Sequence, residues 1–159
     1  METIEKFLSR FEFRPEGDML VGIERESLLV RNGAIAPIAY DVLRNFPQNG
    51  RYGYELSACQ LEDRVGPVPI EGLFDALRRN EAEITKTEQA FGFSRFTYEV
   101  GPEDMPLDVY PDPTGRYQMI IKNMPREVLL AACRVIATHV HIGMPDRETA
   151  LAVYNRVRH

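Results

Sequence analysis

The sequence has few cysteines, no excess of positive charge and no long apolar run. Two cysteines, Cys59 and Cys133, cannot make a disulfide framework, so a reducing cytoplasmic setting is expected. With 19 basic against 24 acidic residues, the net charge of −5 excludes a broad basic surface for nucleic acid. No apolar run reaches the length of a membrane span, and neither a signal-peptide pattern nor a repeat is evident. We therefore expect a cytoplasmic protein that binds neither membrane nor nucleic acid.

The composition is that of an ordinary globular domain. The chain has 159 residues, of which 44% are hydrophobic and 27% charged. This length is sufficient for one domain with its own core, and no linker-like stretch divides it. The sequence therefore predicts a single domain over 1–159.

The most informative segment is Val21–Val30, read VGIERESLLV. It is rich in β-branched and aliphatic residues and lies between turn-forming residues, so it predicts a strand. Side chains alternate along a strand, which places Glu24 and Glu26 on one face with Leu28, roughly 7 Å apart, and Arg25 on the other. Two buried carboxylates need a divalent cation, an arginine or a shared proton. A solvated polar face on an edge strand is the open alternative.

A second acidic side chain repeats this pattern in the segment Tyr52–Val65. If the end of the segment is extended, Gln60 and Glu62 lie on one face, with Leu61 on the other. Glu62 is thus a second candidate for a carboxylate-bearing strand. A salt bridge between Glu62 and Arg64 would explain it equally well.

Two histidines occur in the apolar segment THVHIG at 138–143. In a strand His139 and His141 share one face, which raises the prospect of metal or phosphate binding, although a structural role for each is the alternative. Asp146 is predicted to cap a final helix, in which Leu151 belongs to an apolar stripe.

The remaining pattern predicts an α+β fold. A proline-rich loop is expected over Gly101–Pro113, and long loops in compact domains are often functional. Helices are predicted over Thr3–Phe11, Tyr40–Phe46, Ile70–Ala90, Thr114–Asn123 and the start of Arg126–Gly143; further strands are predicted over Ala34–Ile38, after the Asn32-Gly33 turn, and Phe91–Val100.

Three groups of motifs together resemble the glutamate–cysteine ligase group of carboxylate–amine ligases, which are relatives of glutamine synthetase. These are GIERESLLV at 22–30, CQLE at 59–62, and GRYQ at 115–118 followed by THVHIGMPD at 138–146. The resemblance implies a mainly antiparallel sheet with helices packed on one face, equivalent to half of a glutamine synthetase-like catalytic domain.

The resemblance also implies a reaction and its ligands. ATP phosphorylates the γ-carboxylate of glutamate, and an amine such as cysteine then displaces phosphate, a step of glutathione biosynthesis. Divalent cations, Mg²⁺ or Mn²⁺, neutralise the oxygens on both sides of the transfer. The implied metal ligands are Glu24, Glu26, Glu62 and His139; Arg116 and His141 are implied near substrate or phosphate as catalytic residues, and Glu55 is a weaker candidate for cofactor binding.

Several departures from the family pattern bear on amino-acid specificity more than on metal chemistry. Cys133 stands where members often carry glutamine, Val65 stands where a threonine often follows, and a Gly-Thr-His-Pro-like segment is absent. Such enzymes are also much longer, so the chain resembles their first half and is expected to be inactive alone.

Two alternatives to an active ligase therefore stay open. One is a truncated remnant or subunit that completes its sheet with a second chain, either in a homo-oligomer or with a complementing C-terminal chain. The other is a zinc hydrolase that uses His139 and His141, although in barrel hydrolases such a pair comes early in the chain.

Overall fold

The computed structural model describes Lys6 and residues 13–158. Apart from Lys6, the predicted helix over 3–11 lies outside the described residues. The described chain begins with a 3₁₀ turn at Pro15–Gly17 and then enters the first strand. None of the helices in this part of the chain is both long enough and apolar enough to cross a membrane.

An antiparallel sheet forms around the strand that carries Glu24 and Glu26. This strand, β1, spans Val21–Arg31 and forms hydrogen-bonded pairs with four of the other five strands. The remaining strand pairs with one of those four and does not contact β1 through hydrogen bonds. The others are β2 (Ala34–Ile35), β3 (Tyr52–Tyr54), β4 (Gln60–Val68), β5 (Ser94–Phe96) and β6 (Thr138–Ile142). Because Glu24 is paired with Arg64 of β4 and with His139 of β6, these two strands flank β1 on opposite edges.

Five helices accompany the sheet in the described chain: α1 (Ala39–Leu43), α2 (Ile70–Phe91), α3 (Arg116–Ile121), α4 (Arg126–Arg134) and α5 (Arg147–Val157). The long helix α2 contacts β4 and buries Leu73 and Ile84. It ends where Gly92 takes a left-handed conformation that lacks a steric penalty only in glycine. The α+β class and the antiparallel sheet with helices are thus confirmed.

The strand register separates the residues of β1 and β4 into two faces of the sheet. Cross-strand pairs such as Ile23 with Val65 and Ser27 with Leu61 lie on the face that α2 covers. Arg25 belongs to this face, where its guanidinium forms a two-pronged hydrogen bond to the buried Asp63. The predicted separation of Arg25 from its acidic neighbours is therefore observed.

The proline-rich segment is an ordered loop that packs on the rest of the domain. Met105 and Tyr110 within it are 5% and 6% exposed. Its backbone is hydrogen-bonded to the segment before β4, where Ala58 donates to Asp108 and Tyr110 donates to Leu56. The loop therefore fixes the chain just before Glu62.

Some predicted boundaries are wrong. β2 covers only Ala34–Ile35, and β5 is limited to Ser94–Phe96 because α2 continues to Phe91.

The Asp146 cap is observed, since its carboxylate accepts a hydrogen bond from the Thr149 amide. The stripe of α5, however, stays exposed: Leu151, Tyr154 and Val157 are 49%, 56% and 74% accessible.

Candidate metal centre

Three carboxylates converge on the face of the sheet opposite α2. Glu26 and Glu62 are directly paired across β1 and β4, and Glu55 comes from the irregular segment between β3 and β4. One oxygen from each of the three lies within 4.8 Å of the others. The prediction that Glu24, Glu26 and Glu62 share one face is confirmed by the register, while their role as metal ligands stays a prediction.

Glu62 is the most deeply buried member of this group. It is 3% exposed, and its Oε1 is buried without a hydrogen bond. The neighbouring strand explains the space around it, since Gly53 of β3 is its partner. A buried carboxylate in this state requires a positive charge nearby.

Arg64 supplies one such charge. Its Nε forms an ion pair with Glu62 Oε1 and lies 3.8 Å from Glu24 Oε1. The salt bridge considered from the sequence as an alternative for Glu62 is therefore present. Arg64 is two residues beyond Glu62 on the same strand, so strand alternation alone would have placed it on this face.

The proximity of the carboxylates alters the acidity of Glu55. Burial raises its pKa to about 7, reinforced by a hydrogen bond with Glu62 and by the negative charges of Glu62 and Glu26, with Arg64 opposing. Near neutral pH the group is therefore divided between its protonated and ionised forms. A cation among the three carboxylates would favour the ionised form.

Glu24 belongs to a second group on the same face, together with both histidines. Glu24 Oε2 lies 3.1 Å from His141 Nε2 and 3.5 Å from His139 Nδ1. The hydrogen bond with His141, offset in part by burial, lowers the pKa of Glu24. A groove of about 630 Å³ opens beside this group, lined by Gly22, Glu24, Arg64 and His141 among others. The predicted pair of histidines is thus beside the acidic row.

Arg116, the remaining predicted residue, is exposed at the start of α3. Its guanidinium lies 5.9 Å from the ring centre of Tyr117. Tyr117 is 9% exposed, and burial, followed by the charge of Glu55, raises its pKa to about 12. Tyr117 is therefore close enough to Glu55 to be influenced by its charge, and it is a residue that the sequence motifs did not indicate.

The side chains present fit a hard divalent cation. Mg²⁺ prefers oxygen ligands and retains several waters, so a few carboxylates at one side are a suitable partial shell. Glu26, Glu55 and Glu62 provide such oxygens, and the buried Oε1 of Glu62 contacts the Arg64 guanidinium and has no other partner. Among the described residues this is the group with metal-ligand spacing, and it differs from the predicted set by including Glu55 in place of Glu24 and His139.

Comparisons with known proteins agree with the resemblance seen in the motifs. The chain is 29% identical to “Putative glutamate–cysteine ligase 2” of Rhodopirellula baltica, over 87% of this chain and 39% of that protein. It is 31% identical to a numbered form of the same name, 2-1, from Nocardia farcinica, over 87% of this chain and 36% of that protein. Mycobacterium sp. strain KMS has another, 2-2, that is 29% identical.

The match concerns the N-terminal portion of these proteins. The chain spans less than two fifths of the length of these three curated relatives. No family model matches the chain. No solved structure matches it either, so the likeness to glutamine synthetase stays a prediction.

Proposed function

We propose that this chain is the N-terminal part of the catalytic domain of an ATP-dependent carboxylate–amine ligase of the glutamate–cysteine type. The enzyme would form a γ-glutamyl amide through an acyl-phosphate, with glutamate and an amine such as cysteine as substrates. The observation that carries this proposal is the convergence of Glu26, Glu55 and Glu62 within 4.8 Å on an open sheet face. The similarity to proteins named glutamate–cysteine ligase adds the reaction class.

The physical requirement of this reaction explains the acidic site. ATP and the glutamate γ-carboxylate are both negatively charged and repel each other as they approach. Bound Mg²⁺ or Mn²⁺ would neutralise the phosphate oxygens during the transfer. The role of this chain is to hold the cations on a rigid sheet. Glu26, Glu55 and Glu62 would form the first cation-binding position.

A second position follows from the neighbouring group. Glu24 and His139 are adjacent, and Glu24 is linked to Glu62 through Arg64. Imidazole binds a cation in its neutral form, so the second position would be weakened by acid. We refer to Glu26, Glu55 and Glu62 as the first position and to Glu24, Glu62 and His139 as the second position.

Two further residues are proposed to contact phosphate or substrate. His141 is 60% exposed and faces the groove beside Glu24, where it can donate a hydrogen bond to an anionic group. The Arg116 side chain is exposed, and among the described contacts its guanidinium forms no ion pair, although its backbone amide donates to the Asp112 carboxylate. An exposed guanidinium without an ion pair is suited to bind phosphate oxygens.

The other catalytic groups would come from a second stretch of polypeptide. We propose that it also covers β6, which is exposed at every residue, and α5, which has no buried residue. A remnant or subunit that needs a second chain is the alternative, favoured by the same exposed surfaces. Both cysteines are free thiols, which suits a cytoplasmic location.

Titration of the chain with Mn²⁺, followed by electron paramagnetic resonance, tests the metal site. We expect binding that Glu62→Gln abolishes and that Glu103→Gln, a change at an 86% exposed side chain, leaves intact. Absence of Mn²⁺ binding by the folded chain would refute the proposal. A zinc ion retained through purification and bound through His139 and His141 would instead favour a hydrolase.

A further inference from the structure

The guanidinium of Arg64 lies beside the two carboxylates of the second proposed metal position. Register places Arg64 directly opposite Glu24 on the neighbouring strand, and Glu62 is two residues earlier on its own strand. Its Nε contacts Glu62 and lies 3.8 Å from Glu24. One side chain therefore reaches both carboxylates that the second position requires.

A glycine on β3, the strand that pairs with β4, leaves the space in which this guanidinium packs. A Cβ at Gly53 would lie 2.8 Å from Nη2, 3.0 Å from Cζ and 3.1 Å from Nη1 of Arg64. The 2.8 Å contact is shorter than real Cβ contacts, so a larger residue at this position would require the guanidinium, the flexible end of the Arg64 side chain, to move. The guanidinium lies close against the backbone of β3, although Arg64 remains 43% exposed.

We propose that Arg64 serves as a built-in cation at the second position and limits this chain to one tightly bound divalent ion, at the first position. This inference rests on the proposed function, because it concerns the same acidic face. Glu62 is more than nine-tenths buried, and its Oε1 has the Arg64 guanidinium as its contact and no other hydrogen-bond partner, so positive charge is already placed at this carboxylate. Arginine fills that position at every accessible pH because its guanidinium does not deprotonate in proteins.

The proposal has a direct physical consequence for metal binding. A divalent ion that approaches Glu24 and Glu62 meets a fixed unit charge within about 4 Å, which opposes it strongly at protein dielectric values. The first position is less affected, because Arg64 contacts only one of its three carboxylates, Glu62, whereas it lies beside both carboxylates of the second position. We therefore expect that removing the guanidinium allows a second ion to bind, rather than only raising the affinity for the first ion.

The test compares Mn²⁺ stoichiometry in the wild-type chain, Arg64→Gln and Gly53→Ala, by electron paramagnetic resonance with circular dichroism to verify folding. We expect one tight ion in the wild type and a second one in Arg64→Gln, bound at least about tenfold more tightly than any second ion in the wild type. Gly53→Ala, which displaces the guanidinium without removing its charge, should also admit the second ion. Arg79→Gln, at an exposed arginine of α2, removes the same charge and should leave one ion.

The source of the second ion is identified by adding His139→Ala to Arg64→Gln, which should remove that ion alone. Two tight ions in the wild type, or one ion in both folded variants, would overturn the assignment of Arg64 while leaving the proposed metal site in place. No ion in any of the folded chains would overturn the proposed function together with this inference.

Discussion

Replacing Glu55 by glutamine is expected to stabilise the metal-free chain at pH 8 and to leave its stability almost unchanged at pH 4. Burial and the negative charges of Glu62 and Glu26 raise the pKa of Glu55 from 4.5 to about 7. Between pH 4.5 and about pH 7, Glu55 retains in the folded chain a proton that it has released in the unfolded chain. The unfolding free energy therefore falls as pH rises through this range, and the loss is complete above pH 7.

The size of the effect follows from the change in proton affinity. Each tenfold change in proton affinity corresponds to about 1.4 kcal/mol, so the rise in the pKa of Glu55 from 4.5 to about 7 corresponds to roughly 3 kcal/mol. Glu55 is only partly buried, and solvent screening reduces this to about 1–2 kcal/mol. Glutamine cannot ionise, so Glu55→Gln should recover that amount at pH 8.

Adding Mn²⁺ should reverse the order of the two proteins. A ligand that binds only the folded chain stabilises it by about 2.7 kcal/mol at a concentration one hundred times its Kd. The wild type gains this term, whereas Glu55→Gln has lost one of three ligand carboxylates. The variant should thus be the more stable protein without metal and the less stable one with metal.

Urea unfolding at pH 4 and pH 8, with and without Mn²⁺, measures four unfolding free energies for each protein. Glu103→Gln, in an exposed part of the proline-rich loop, is the matched control and should follow the wild type throughout. If Glu55→Gln and the wild type show the same dependence on pH, Glu55 is not held among negative charges, and the electrostatic account of the site fails.

Three further outcomes are expected. His139→Ala should weaken Mn²⁺ at the second position more than His141→Ala does, measured by paramagnetic relaxation in the Arg64→Gln background; an equal loss would mean that the roles of the histidines are misassigned. Asp63→Ala should lower the unfolding free energy by about 3 kcal/mol in urea titrations, because it leaves Arg25 without its buried partner; Asp75→Ala, in an exposed pair, should change it by less than about 1 kcal/mol. The isolated chain should release no phosphate from ATP and glutamate, and robust turnover would contradict the need for a second polypeptide.

Strand periodicity was sufficient to predict most of the acidic face. Glu24, Glu26 and Glu62 fall on one side because side chains alternate along extended chain, and the sheet then brings the strands together. His139 and His141 follow the same rule on β6, and pairing with β1 places both beside Glu24. Local geometry determines these positions, so they could be read from the sequence.

Glu55 could not be assigned in this way. It lies between β3 and β4 in an irregular segment, and its approach to Glu62 depends on the path of that segment and on the loop that packs against it. The packing of the Arg64 guanidinium against Gly53 is likewise a contact between two paired strands, β4 and β3. Such contacts arise from tertiary packing, which a single sequence does not specify.

The strands of the sheet that carries the site are not equally protected by pairing. β1 and β4 each pair along both edges, whereas β6 is paired with β1 and exposed along its whole length in the described chain. Backbone amides of β1 and β4 should therefore exchange with solvent most slowly, and those of β6 much faster. The carboxylates would keep their arrangement while β6 detaches and returns, so contacts from its two imidazoles would be made and broken at the rate of that local opening.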